Sequence, residues 1–283
     1  MEISAATVKI LRDKTGAGMM DCKKALAESE GDMEKAIEYL RKKGAATAEK
    51  RMDRTANEGV VMTHFDGAEG IIVEVNCETD FVARSADFLG FANEVVAAVK
   101  ANKPADVPAL LASSSGNRTV ADALTEVIGK IGEKIDVRRF AVFPTTGRII
   151  DYIHPGAKLG VLIELSTAKQ TDELTQLGKD LAMQVAAMNP VALDRSAVPA
   201  ELREKELELY RQQAREQGKP ENMLDRIAEG KLNKYFQEYT LMEQSFIRDN
   251  TQTVKEHVDA VATALGDPVT VLRFARFQVG DGN

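Results

Sequence analysis

Apolar residues at the start of the chain recur at helical spacing. Ser4 is placed as an N-cap, and Val8, Leu11 and Ile10 give an apolar stripe behind it. Thr15-Gly16-Ala17-Gly18 ends this helix, because glycine supplies the positive φ that a tight turn needs. A second helix is predicted from Met19 to Ser29, with Cys22, Ala25 and Leu26 on one face. Gly31 breaks it, and Asp32 caps a third helix carrying Met33, Ala36, Ile37 and Leu40. Residues 41–54 then hold six basic and two acidic residues, a pattern that reads as a solvated linker helix rather than a binding patch.

Beyond residue 55 the apolar period switches from helical to alternating, and the pattern occurs twice. Gly59–Val75 matches Gly147–Leu165, with Gly70-Ile71-Ile72-Val73-Glu74-Val75 aligned on Gly160-Val161-Leu162-Ile163-Glu164-Leu165. Each copy predicts a hairpin, and the offset between them implies a second loop two residues longer. Helices are predicted after each hairpin, over Phe88–Lys100 and Leu174–Met188. A closing strand follows in each copy, Arg139–Phe143 and Arg273–Phe277, identical at four of five positions. The expected fold class is α+β. A three-helix ubiquitin-associated-like module and linker (1–54) precede a duplicated core of two small antiparallel sheet/helix subdomains (55–144 and 145–283).

The second copy is longer by about 48 residues. The extra segment, about 191–238, reads as an antiparallel helical hairpin. Its first arm is Pro199–Gln217, with Leu202, Leu207, Leu209 and Tyr210. Gly218-Lys219-Pro220 is the turn, and Met223, Leu224, Ile227 and Leu232 mark the return. Either it packs on itself or it serves as a coiled-coil contact between two copies of the chain.

Composition narrows the function classes. Hydrophobic residues make up 44% and charged residues 29% of 283 residues, the balance of a globular chain. The net charge of −7 excludes a strongly basic nucleic-acid binder. Met1-Glu2-Ile3-Ser4-Ala5 carries no basic n-region, and no apolar run approaches ~18 residues, so a cytoplasmic, reduced protein is expected. Cys22 and Cys77 suit neither a disulfide framework nor a metal knuckle, and His64, His154 and His257 are too scattered for a metal site. No phosphate loop, GxGxxG fingerprint, HExxH or GxSxG is present. A non-enzyme without cofactor is expected, and Cys77, on the Ile71-Val73-Val75-Cys77 alternation, reads as a small buried hydrophobe.

Asn76-Cys77-Glu78-Thr79-Asp80-Phe81-Val82 is the segment that structure alone explains least. Thr79 or Asp80 is placed to cap a helix, and Phe81 sits at the strand-to-helix junction, where the second copy has only Ser166-Thr167-Ala168-Lys169. Phe81 either points outward or folds back beside Phe88. Met19-Met20 pose the same question, since one of an adjacent pair is usually turned outward and an exposed thioether suits a binding surface.

Thr15–Leu26 (TGAGMMDCKKAL) and Glu74–Arg84 (EVNCETDFVAR) resemble the two signature segments of bacterial translation elongation factor Ts, a resemblance that extends over essentially the whole chain. That family is the guanine-nucleotide exchange factor for elongation factor Tu. Its studied members continue into a C-terminal helical module, whereas this chain ends at Gly280-Asp281-Gly282-Asn283.

The resemblance implies roles for particular residues. Thr79, Asp80, Phe81 and Val82 would wedge into the GTPase near its Mg²⁺ site, with Phe81 inserted between partner side chains and Asp80 helping to displace the metal arrangement. Lys9, Arg12, Met19 and Met20 would dock on the nucleotide domain. A loop at Ile131-Gly132 and a histidine at His154, followed here by Pro155, would add further contacts. Competing readings are a ubiquitin-associated-like adaptor or ribosome-linked binding protein without exchange activity, and an enzyme with a site between the repeats. A homodimer or 2:2 complex through the helical hairpin is a separate structural reading. No contact with nucleic acid or membrane is implied.

Overall fold

The computed structural model describes residues 3–281; the Met1-Glu2 start and the Gly282-Asn283 end lie outside the described residues. Helices α1 (Ala5–Thr15), α2 (Met19–Glu28) and α3 (Met33–Arg51) come first. Ser4 Oγ accepts from Thr7 N and Asp32 accepts from Glu34 N and Lys35 N, so both expected caps form. Gly16 ends α1 in the left-handed region at φ 66°. Val8, Leu11, Cys22, Ala25, Leu26 and Ala36 form the buried centre of this unit, whereas Ile10 is half exposed and lies outside the stripe expected of it.

Strands β1 (Glu58–Phe65) and β2 (Glu69–Cys77) are followed by α4 (Asp80–Ala83), α5 (Ala86–Asn102) and α6 (Val107–Ala112). A small ribbon, β3 (Ser114–Ser115) with β4 (Arg118–Thr119), leads into α7 (Val120–Ile131) and β5 (Ile135–Pro144). The next hairpin is β6 (Arg148–Ile153) with β7 (Leu159–Leu165), followed by α8 (Asp172–Met188). Then come α9 (Ala200–Glu216), α10 (Leu224–Tyr239), β8 (Ser245–Phe246), β9 (Asp249–Thr253), α11 (Val254–Leu265) and β10 (Val271–Gln278).

Both main sheets have three antiparallel strands, ordered β1-β2-β5 and β6-β7-β10, with the second strand of each hairpin central. The loop between β1 and β2 has three residues and that between β6 and β7 has five, the difference that the offset implies. Each central strand is buried on both faces. Ile71, Val73, Val75 and Cys77 face α5, while Ile72 faces the other sheet. In β7, Val161, Ile163 and Leu165 face α8 and Leu162 faces the first sheet. The layers therefore run helix, sheet, sheet, helix.

The repeat extends further than the strands. Thr119 and Asp122 form a reciprocal capping box at the start of α7, and Thr253 with Glu256 forms its twin at the start of α11. At the sheet-on-sheet contact the copies also exchange equivalent groups. A side chain on Gly70 would meet Ile149 at 2.8 Å, and one on Gly160 would meet Val61 at 2.5 Å, so both glycines are needed for close approach.

The helical hairpin packs on itself and on the segment that enters it. Leu232, Tyr235 and Phe236 of α10 bury against Ala192 and Val198, with Leu202, Leu207 and Tyr210 alongside. Leu209 remains exposed.

The basic linker is not a freely solvated helix. α3 continues through it to Arg51 and crosses α7 where Gly44 meets Gly129; a Cβ on Gly129 would lie 2.8 Å from Gly44 Cα. Arg41 pairs with Asp122, Lys43 with Asp21, and Arg51 and Arg54 both with Glu78. Four of the six cations are thus held by acids distant in sequence, whereas Lys42 pairs with Glu38 one turn back.

Candidate functional site

The strand β2 ends at Cys77, and the chain turns within two residues into the single-turn helix α4. Thr79 is its N-cap, with Oγ1 accepting from Val82 N at 3.4 Å. Ala83 is buried and Val82 packs partly against the core beneath, which leaves Phe81 on the outer side, 80% exposed. Phe81 is therefore not core beside the fully buried Phe88. Asp80 is half exposed and pairs with Arg84 one turn on, and Arg84 Nε donates to Asp80 O at 3.1 Å.

This turn is anchored from below by residues that the sequence pattern did not single out. Glu133 Oε2 accepts from Glu78 N at 3.2 Å and Thr79 N at 3.0 Å, and its Oε1 accepts from Thr79 Oγ1 at 2.7 Å. In return Glu78 Oε1 accepts from Lys134 N at 2.7 Å, and its other oxygen accepts from Arg54. Partial burial pushes the Glu78 carboxyl upward. The bonds from Lys134 N and Arg54, with the charges of Arg54 and Lys134, outweigh that effect and hold it below the ordinary 4.5. Because these partners are 54 to 56 residues apart, only the β2–β5 register, which ends at Cys77 opposite Ile135, could have pointed to them.

Ile131 and Gly132 are brought to the same place, although not as a loop. Ile131 is the last residue of α7, and Gly132 caps it at φ 81°, with its N–H donating to Ile128 O. The left-handed turn at Gly132 delivers Glu133 to the Glu78–Thr79 turn.

The other expected residues lie on separate surfaces. Lys9 and Arg12 are exposed on α1, and Met19 and Met20 are both exposed at the start of α2, at 52% and 74%. Neither methionine folds inward. His154 is exposed in the β6–β7 loop, with Nδ1 2.8 Å from Tyr152 Oη. That loop leans on the first sheet, since Ala157 O accepts from Val61 N at 2.6 Å and Lys158 pairs with Glu58 at 2.5 Å.

Cys77 is fully buried, and its thiol is pushed up to about 12, chiefly by burial and then by the negative charge of Glu133. A thiol held protonated in this way is not a nucleophile. Among the described residues, no group of three or more His, Cys, Asp or Glu side chains could hold a metal ion. Among the same residues, no helix is long and apolar enough to cross a membrane.

A family model described as elongation factor TS matches residues 78–281. The elongation factor Ts of Prosthecochloris aestuarii is 50% identical over 286 residues, covering 99% of both chains. That of Chloroherpeton thalassium is 50% identical over 287 residues, again with 99% of both chains covered. The Syntrophotalea carbinolica protein of the same name is 48% identical over all of this chain and 94% of its own. A family match over most of the length, with end-to-end similarity at half identity, means that this chain belongs to the elongation factor Ts family of translation elongation factors.

Proposed function

We propose that this protein binds elongation factor Tu in its GDP-bound form, disturbs the Mg²⁺ and phosphate site, and promotes GDP release so that GTP can enter. The observation that carries the reading is Phe81, a large aromatic held 80% exposed on a short turn whose cap and base are both clamped. Leaving such a side chain in water forgoes about 1.5–3 kcal/mol of burial, which a partner would recover. Thr79, Asp80, Phe81 and Val82 form the wedge. A nucleoside diphosphate on a GTPase is held largely by Mg²⁺ and phosphate-loop amides, so a small displacement of either weakens it strongly. The effect is reciprocal, and GDP in turn loosens the factor.

Lys9, Arg12, Met19 and Met20 provide the docking surface on the nucleotide domain, with Ile131, Gly132 and His154 as further contacts. The protein acts by binding rather than by bond chemistry, without a cofactor, in the cytoplasm and without contacting nucleic acid or membrane. Its organisation is a ubiquitin-associated-like module (1–54) and a duplicated core divided at 144/145. The exposed Leu209 on α9 is consistent with a homodimer or 2:2 assembly through the hairpin.

Stopped-flow release of a fluorescent GDP from elongation factor Tu tests the proposal. The protein is expected to accelerate release, and excess Mg²⁺ to slow the stimulated rate. A release rate unchanged by the protein at saturating concentration would leave the adaptor reading in its place.

A further inference from the structure

The β2–β5 ladder ends, as a backbone ladder, at Cys77 opposite Ile135. Continued by one and two residues, it would place Glu78 opposite Lys134 and Thr79 opposite Glu133. The backbone has already left strand geometry there, yet the pairing continues through side chains. Glu78 carboxylate accepts from Lys134 N, and Glu133 carboxylate accepts from both Glu78 N and Thr79 N. Two carboxylates thus replace two carbonyls, and charge-assisted bonds of this type are roughly twice as strong as neutral ones.

We propose that Glu133 is the positioning residue of the wedge: its carboxylate, placed just past the Gly132 cap of α7, fixes the Thr79–Val82 turn and so the direction in which Phe81 points. Three hydrogen bonds converge from it on two successive residues, including the hydroxyl of the helix cap. Thr79 Oγ1 donates to Glu133 and accepts from Val82 N, so the clamp and the cap share one atom. A four-residue helix has too few internal bonds to hold its own orientation.

The helix that leads into Glu133, α7, also receives the N-terminal unit. Gly44 of α3 crosses it at Gly129, and Arg41 pairs with Asp122 near its start. Helices α3 and α7 therefore link the unit bearing Met19 and Met20 to the turn bearing Phe81. In the second copy Asp267 occupies the place of Glu133, and it bonds the Thr167 hydroxyl and Lys169. That copy carries no aromatic at the junction.

This inference rests on the exchange reading above, and two measurements keep the two separable. In saturating stopped-flow GDP release, Glu133→Ala is expected to lower the plateau rate by roughly tenfold or more. The half-saturating factor concentration should move less than about threefold, because the docking surface is untouched. Thr79→Ala, which leaves Glu133 in place and removes one of its three partners, should give a smaller loss of plateau. Mere loss of folded protein would do the opposite, raising the half-saturating concentration and sparing the plateau. Amide hydrogen exchange on the free chain should show protection lost at Thr79 and Val82 in Glu133→Ala, with α5 unchanged. A Glu133→Ala plateau within twofold of wild type overturns the proposal. If the wild-type protein fails to accelerate release at all, the exchange reading falls; unchanged protection at Thr79 and Val82 would then overturn the clamp as well.

Discussion

Arg139 lays its guanidinium 4.4 Å from the ring centroid of Phe277, and across the pseudo-twofold Arg273 lies 4.2 Å from that of Phe143. The two arginines, one from each copy, bind the fully buried Glu74 and the nearly buried Glu164. Each then reaches a carbonyl on the opposite sheet, Arg139 to Gln278 O and Arg273 to Pro144 O. A duplicated sequence thus builds an interface with itself, in the way that two identical subunits would.

Arg139→Ala is expected to destabilise the protein by about 3 kcal/mol, because it removes the cation from the buried Glu74 and leaves only the neutral donors Asn76 Nδ2 and Gly280 N. Urea unfolding would measure this. A double variant, Arg139→Ala with Glu74→Ala, should recover part of the loss, since no uncompensated charge remains. A loss below about 0.5 kcal/mol for the single variant would show that water reaches Glu74.

Gly160→Ala places a methyl 2.5 Å from Val61 Cγ1 and 2.8 Å from Ile153 Cδ1. Overpacking of this kind costs roughly 1–3 kcal/mol. Val61→Ala in the same chain should recover a measurable part of that loss, whereas an additive double variant would place the strain elsewhere.

The equivalence of these positions was legible in the sequence, because it arises from the repeat: Arg139 with Arg273 and Phe143 with Phe277 share one offset and Gly70 with Gly160 another, but that they meet across two packed sheets was not. Caps and glycine turns were legible too, since their chemistry is local. The capping boxes at Thr119 and Thr253 carried an equally local signal that went unused, and α7 and α11 were missed with them. The orientation of Phe81 was not legible, because one helical turn has no periodicity to read. Nor was the fate of the basic linker, whose cations find Asp21, Asp122 and Glu78 only after the chain has folded. Glu133 was hidden for the same reason.

Acid should weaken the capping box of α7 and, with it, the Arg41 pairing to α3. The Asp122 carboxyl lies below the ordinary 3.8, held there by hydrogen bonds from Thr119 N and the Thr119 hydroxyl and by Arg41. A carboxyl depressed in the folded state binds fewer protons there than when unfolded. Its stabilisation is complete above the ordinary value and fades as pH falls below 3.8 through the lower folded value. Stability measured from pH 6 downward should decline through that window, and Asp122→Asn should flatten the decline. An equally steep curve for the variant would assign the effect to other carboxyls.

Cys77 should resist alkylation. With the thiol pushed up to about 12 and no solvent access, iodoacetamide at pH 8 is expected to label it at least ~100-fold more slowly than in the urea-unfolded chain. Mass spectrometry of the Cys77 peptide reads the rate. Rapid labelling of the native protein would mean that the β2 end opens readily.

In the proposed exchange, Phe81 is the group that moves the metal and phosphate site of the partner. Saturating stopped-flow GDP release from elongation factor Tu, with wild type beside Phe81→Ala and Phe65→Ala, tests it most directly. Phe65 is also an exposed aromatic but stands at the end of β1, away from the wedge. The expected result is a plateau lowered by roughly tenfold or more for Phe81→Ala and unchanged for Phe65→Ala. Equal plateaus for wild type and Phe81→Ala would contradict the wedge.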